Sequence, residues 1–198
     1  EEPIGRTGLG MFIRPRDGKE RQIFAALYIN LWMKKVKVHF ETLNLLISLI
    51  STFKSPWGTT SDLKSGYYAV RTHPGCRKYM SYEIELEEKD PVTGETYTRT
   101  AIAVYNVLSF GAALSVMVFH RLVATVIRVM RCYFMFVGIF FLDDRASVYR
   151  SLREGMILEY HTTRLWVSLG TYFSKKKLRP TPAKLIEMLG FALCLASW

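Results

Sequence analysis

The sequence predicts an α+β fold, an antiparallel sheet with helices packed on one face. Three observations predict it. The apolar run Cys132–Leu142 ends in Asp143-Asp144, and the stretch that follows can pair back on it as the second arm of a hairpin. Arg77–Leu86 and Tyr97–Val104 alternate apolar and polar residues around Asp90-Pro91-Val92-Thr93-Gly94, a strong hairpin signal. Ala112–Arg131 and Leu152–Leu169 read as two long helices.

Taken in order, residues 1–20 are rich in Gly, Pro and charge and read as an extended segment. Gln22–Ile29 reads as a strand. Glu41–Phe53, with Leu43, Leu46, Ile47 and Ile50 at helical spacing, reads as an amphipathic helix that Pro56-Trp57-Gly58 stops. Thr59–Leu63 is a short strand delivering Asp62, and Lys64–Val70 a helical turn. After the Arg77–Val104 hairpin and the first long helix, Ile139–Asp143 and Ala146–Tyr149 make a second hairpin. Leu185–Leu193 supplies a final strand pair.

The 198 residues suit one compact domain or two closely joined subdomains, with enough chain to bury a core. Hydrophobic content of 49% and charged content of 22% are ordinary for a globular protein. The formal charge of +10 and pI near 9.6 are not, and they favour a polyanionic partner, nucleic acid first. No amphipathic Lys-rich helix stands out, and Cys132–Leu142 is too short to span a bilayer, so no membrane partner is expected. Cys76, Cys132 and Cys194 have no metal spacing and no disulfide framework. Two of them lie in apolar runs and read as core residues, and the usage suggests a reducing, intracellular setting: nucleus, cytoplasm or mitochondrion. With Glu1 at its start and no signal-like segment, the chain reads as a fragment or a processed product.

Asp62, Asp143 and Asp144 are the chemical focus. Asp is common in turns, where its side chain bonds its own backbone, so an Asp-Asp pair alone reads first as a hairpin tip. Two carboxylates at such a tip repel each other, and a bound cation is one good reason to hold them there. A pair at the end of one strand and a remote carboxylate at the end of another is what two-metal phosphoryl transfer needs, with two ions about 3.5–4 Å apart. Mg²⁺ takes only one or two carboxylates per ion, with water and substrate phosphates completing its shell, so three suffice for two Mg²⁺ ions.

The order of motifs resembles that of reverse transcriptases. Asp62 to Tyr67 is similar to the family's first motif. Val104-Tyr105-Asn106-Val107-Leu108-Ser109-Phe110-Gly111 is similar to the second, usually Leu-Pro-Phe-Gly or Leu-Pro-Gln-Gly. Phe141-Leu142-Asp143-Asp144 resembles the third, usually Tyr-x-Asp-Asp. Leu169-Gly170 with Lys175, Lys176 and Lys177 resembles the fourth, and Met188-Leu189-Gly190-Phe191 the fifth. Gly18-Lys19-Glu20-Arg21-Gln22-Ile23 and Asn30 resemble the fingers segment that grips the incoming triphosphate. The resemblance spans roughly residues 12 to 193, and its flavour is that of retrotransposon enzymes. The chain departs from the usual pattern at Ser109, where proline is common, at Ser115-Val116 in place of Ala-Pro, at Phe141 in place of Tyr, and at Ala25 and Leu27.

The resemblance implies a right-hand polymerase palm with fingers elements and no thumb: fingers over 1–58, palm over 59–84, a fingers hairpin over 85–104, and palm again over 105–198. It implies that Asp62, Asp143 and Asp144 are catalytic and hold Mg²⁺. It implies nucleotide contacts from Lys19, Arg21, Leu63, Tyr67, Phe110, Gly111 and Lys177. Tyr67 would stand as a steric gate against a ribose 2′-OH, with a core tyrosine as the bland alternative. Lys19 and Arg21 would meet triphosphate oxygens, the one as a point charge and the other as a planar fork, or be two surface charges on a loop. Phe110 and Gly111 would support nucleotide and template by packing and close backbone approach. Lys177 would sit near the departing pyrophosphate, its neighbours being a solvated charge run. Arg121, Arg128 and Arg131, with His120, recur at helical spacing and read as a solvent stripe more readily than as template-phosphate contacts.

The function so implied is RNA-directed DNA polymerisation, with an RNA template, a DNA primer and dNTP as partners. The rival is a reverse-transcriptase-derived RNA-binding or structural subunit of a ribonucleoprotein such as a mitochondrial ribosome, with ribosomal RNA and protein subunits as partners. Survival of all three carboxylates favours the enzyme.

Overall fold

A computed structural model describes residues 9–13, 20–24, 26–174 and 181–197. The chain divides into two compact units, Glu1–Val36 with Tyr67–Met117, and Lys37–Gly66 with Val118–Trp198.

In the first unit, β1 (Leu9–Ile13) pairs antiparallel with β2 (Glu20–Phe24). The expected strand Gln22–Ile29 ends there, and α1 (Leu27–Trp32) follows as a helix. The reason is packing. Ala26 and Ile29, one helical turn apart, reach a core with Met80, Tyr105 and Ala112. The next hairpin is β4 (Ser81–Lys89) on β5 (Thr96–Val104), in register from Ser81↔Val104 to Lys89↔Thr96. Its tip is an Asx turn, with the Asp90 carboxylate accepting from the N–H groups of Val92 and Thr93 at 2.7 and 3.2 Å. The predicted first strand is shortened at its start, because Pro74–Arg77 forms the short helix α3, with Pro74 at a favoured initial position.

The second unit is built on a three-stranded sheet ordered β3 (Trp57–Asp62), β7 (Asp144–Tyr149), β6 (Gly138–Phe141). Helices cover both faces, not the single face expected. Leu46 and Ile50 of α2 (Leu43–Ser51) pack on Ile139, Ala146 and Val148. The opposite face carries Thr59, Ser61, Arg145 and Tyr149, whose polar groups meet α5 (Leu152–Ser168). Both faces of these strands are therefore buried, and the strict alternation that would have marked one solvated face is missing. A last hairpin, β8 (Leu185–Met188) on β9 (Phe191–Cys194), adds Ile186 and Met188 to the α2-side core.

The helix α4 (Ala113–Phe134) begins in the first unit and continues into the second. It overruns the predicted Cys132–Leu142 strand, which shrinks to β6. Met135, at a left-handed φ of 51°, stops the helix. Cys132 thus lies on an exposed helical turn, and Cys76 and Cys194 are exposed as well, so the core role expected for two of the cysteines does not hold. Among the described residues α4 is long and apolar enough to cross a membrane by length and composition. Its buried residues Phe119, Val123, Ile127 and Met130 recur every three or four positions, which is the stripe of a core helix.

Candidate active site

The β6–β7 hairpin turns over Leu142 and Asp143, with Phe141 opposite Asp144. Leu142 has φ 57° while Asp143 does not share the positive sign. A leucine in the left-handed region is strained, and such strain persists only where surrounding structure over-determines it.

Across the sheet, Asp62 stands opposite Asp144 in the β3–β7 register, so the two side chains leave the same face. The ladder continues one step further, as Leu63 N–H donates to the Asp143 carbonyl at 2.8 Å. Backbone pairing therefore brings together three residues far apart in sequence, with Asp62 and Asp144 as a cross-strand pair and Asp143 in the turn between β6 and β7. All three are half-buried. Beside Asp144 lies a cavity of about 420 Å³ lined by Thr60, Ser61, Asp144 and Arg145 from the sheet and by Glu187–Ala192 from the last hairpin.

These carboxylates suit a hard divalent cation. Two aspartates from facing strands leave open positions for water and phosphate oxygen, as Mg²⁺ coordination requires. Among the described residues no group of three His, Cys, Asp or Glu side chains converges on one point. Register pairs Asp62 with Asp144, and the Asp143 carbonyl is tied to Leu63 beside them.

Beneath the pair, on the α5 face, lies a buried polar network that composition and motif spacing did not reveal. Arg145 is fully buried. Its Nε donates to Ser61 Oγ at 2.9 Å, one Nη to Thr162 Oγ1 at 3.1 Å and the other to Glu159 Oε2 at 2.5 Å. Glu159 Oε1 accepts from Thr59 Oγ1 at 2.6 Å and from the Tyr149 hydroxyl. Burial first, then the charge of Glu159, pushes the Tyr149 hydroxyl far above the usual phenol range. The signal available in sequence was an arginine and a glutamate inside otherwise apolar or helical stretches, and only pairing makes them interpretable.

The other nominated residues divide by unit. In the second unit Leu63 is buried and bridges Phe173, and Ser174 N–H donates to the Asp62 carbonyl at 2.8 Å. The Lys175–Lys177 run follows directly but lies outside the described residues, Lys177 included, as does Lys19. Arg21 lies on β2 opposite Phe12. In the first unit Tyr67 is buried and its ring meets Phe110 edge-on at 4.7 Å, while Phe110 also touches Tyr68 at 5.7 Å. Gly111 adopts φ 101°, which a side chain would resist. Asn30 holds this corner: its amide donates to the Gly111 carbonyl at 2.9 Å and its Oδ1 accepts from Ala113 N–H at 2.8 Å, capping α4. Ser109, where proline is common in the resemblance, is fully buried. Arg131 belongs to the scaffold. It pairs with Glu41 at 2.6 Å and donates to the Gly138 carbonyl, while Glu41 also accepts Phe140 N–H.

No curated protein matches the chain. A family model described as Reverse transcriptase (RNA-dependent DNA polymerase) matches residues 23–193, far more than half of the 198. Domains of that description have a palm-like polymerase fold, carry out nucleotidyl transfer, typically with divalent metals, and act on a nucleic-acid template and primer. The mixed helix and antiparallel-sheet architecture agrees with that fold, and by this match the chain belongs to the reverse transcriptase (RNA-dependent DNA polymerase) family.

Proposed function

We propose that the chain is a catalytic RNA-directed DNA polymerase domain of the retrotransposon kind, with Asp62, Asp143 and Asp144 as its Mg²⁺-holding residues. The observation that carries this reading is the register that sets Asp62 against Asp144, with Asp143 in the adjoining turn, in a chain of this family. When bound, Mg²⁺ lowers the barrier to attack by the primer 3′-hydroxyl and neutralises charge on the leaving pyrophosphate. The chain's own part is positioning and electrostatics. Tyr67, stiffened by Phe110, limits the space beside the sugar. Gly111 offers its backbone. Leu63 fixes the strand end below Asp62. Lys19, Arg21 and Lys177 are assigned to phosphate oxygens.

Asp144→Asn tests the reading. It nearly preserves shape and removes one carboxylate charge of the pair. Mg²⁺-dependent extension of a DNA primer on an RNA template should drop by about 100- to 1000-fold, the scale of a lost electrostatic contact at a reacting centre. The circular dichroism spectrum should stay unchanged. Extension that persists in a folded Asp144→Asn protein removes the assignment. A wild-type chain that binds RNA but never extends a primer favours the structural ribonucleoprotein subunit instead.

A further inference from the structure

We propose that Arg145 is the positioning residue of the aspartate pair: from the far face of the sheet it fixes the separation of Asp62 and Asp144. The inference rests on the reading of that pair as metal-holding. Successive side chains on a strand leave opposite faces. Arg145 bonds Thr162 and Glu159 of α5, so Asp144, its neighbour on β7, leaves the opposite face. On β3 the same alternation sends Ser61 to the α5 side, where it meets Arg145, and Asp62 to the face of Asp144. Ser61 and Arg145 are register partners, and the 2.9 Å bond from Arg145 Nε to Ser61 Oγ ties the strands one residue from each carboxylate.

The tie is rigid. The guanidinium is a planar fork with fixed donor directions. Its other arms end on Thr162 and Glu159 of α5, and its flat face lies 5.0 Å from the centre of the Phe173 ring. Glu159 in turn holds Thr59 and Tyr149, so both strands are fastened to α5 at two levels. Thr59, Ser61, Arg145, Tyr149, Glu159 and Thr162 are all buried.

Stability alone is a poor reason for this arrangement, because a buried ion pair is often matched or bettered by apolar groups of the same volume. A field effect on the carboxylates is also the weaker account. Arg145 and Glu159 are in contact and nearly cancel at a distance. What remains is geometry. Metal-holding groups must be kept within roughly 0.5 Å of their working positions by neighbours that are themselves locked. Arg145 is such a neighbour for both strands at once.

The test uses the full chain and Mn²⁺ as probe, with binding read by electron paramagnetic resonance and folding by circular dichroism and thermal melting. The variants are Arg145→Lys, which keeps the charge and loses the fork, and Ser61→Ala, which removes only the tie. Each should weaken Mn²⁺ binding by roughly tenfold, the usual effect of losing a partner one step behind a metal ligand. Val126→Ala, a core truncation in α4, is the stability control and should leave Mn²⁺ binding unchanged. If Ser61→Ala folds and binds Mn²⁺ like wild type, the proposal is overturned, whether or not Arg145→Lys folds. Equal weakening by Val126→Ala overturns it too, by assigning the effect to general stability. Asp144→Asn separates the two levels. If Asp144→Asn leaves Mn²⁺ binding untouched, the metal reading fails and this inference falls with it. If it weakens binding while Ser61→Ala does not, only the inference fails.

Discussion

At the scale of single residues, Tyr67 shows how a site group and a core group can be one side chain. It is 7% exposed and rests edge-on against Phe110, so it is held where a rotamer change is costly. If it gates the sugar, Tyr67→Ala should lower discrimination between dNTP and rNTP by roughly tenfold or more, since a pocket filled by a ring rejects an added group by volume. The same change should cost about 3 kcal/mol of stability from the cavity it leaves. Steady-state ratios and urea unfolding read the two effects separately, and an unchanged ratio in an active variant assigns Tyr67 to the core alone. Tyr105, in the same unit, has its hydroxyl pushed up to about 12 by burial first and by the charges of Tyr82 and Tyr68 next. A raised folded-state value means the neutral form is favoured by folding. The resulting stability is complete below about pH 10, the ordinary phenol value, and is lost as pH rises toward 12. Alkaline titration followed by phenolate absorbance should show Tyr105 ionising late, together with unfolding. A normal titration in the folded protein would falsify this.

Among elements, the hairpin that carries Asp143 and Asp144 depends on close backbone approach at its base. A Cβ at Gly138 would lie 2.2 Å from the Ala146 carbonyl oxygen and 2.9 Å from Ser147 Cα, both main chain that cannot swing aside. Gly138→Ala should therefore destabilise the second unit by about 3 kcal/mol, the upper range for overpacking, and lower the chemical denaturation midpoint without changing its slope. A midpoint equal to wild type would mean that β6 and β7 separate more easily than their register suggests. The outer edge of β6 is covered by the Glu41–Arg131 pair, which bonds the Phe140 N–H and the Gly138 carbonyl. An edge strand left bare is a template for unwanted pairing, and a charged pair placed there removes it. Arg131, on a basic helical stripe in sequence, thus has a structural duty that its spacing alone did not disclose.

For the whole molecule the governing quantity is the +10 formal charge. Binding to RNA or to a hybrid duplex should weaken steeply with salt, because each phosphate neutralised releases about 0.7 to 0.9 of a counterion. A plot of log affinity against log salt should fall with a slope of several units. A flat plot would mean that the charge serves something other than a phosphate backbone. Crosslinking separates the two functional readings: peptides from the second unit around Asp62 and Asp144 support polymerisation, and crosslinks confined to remote surfaces support a repurposed domain.

The sequence by itself determined the α+β class, the hairpin around Asp90–Gly94, the presence of a hairpin at the aspartate pair, the two long helices and the family, because each rests on a local period or a short ordered motif; its expected turn at Asp144-Arg145 falls instead at Leu142-Asp143. Cys132 misled, since an apolar run looks alike in a strand and at a helix end, and α4 took the first part of it. The Gln22–Ile29 strand failed at Ala26 and Ile29, where a helical turn serves the core better. Only the tertiary structure decided which residues share a face. That depends on strand register, a long-range property in which a shift of one residue sends every side chain to the opposite side. Register sets Asp62 against Asp144 and Ser61 against Arg145. It places Asp144 beside the cavity and Arg145, adjacent in sequence, among buried polar groups that meet α5.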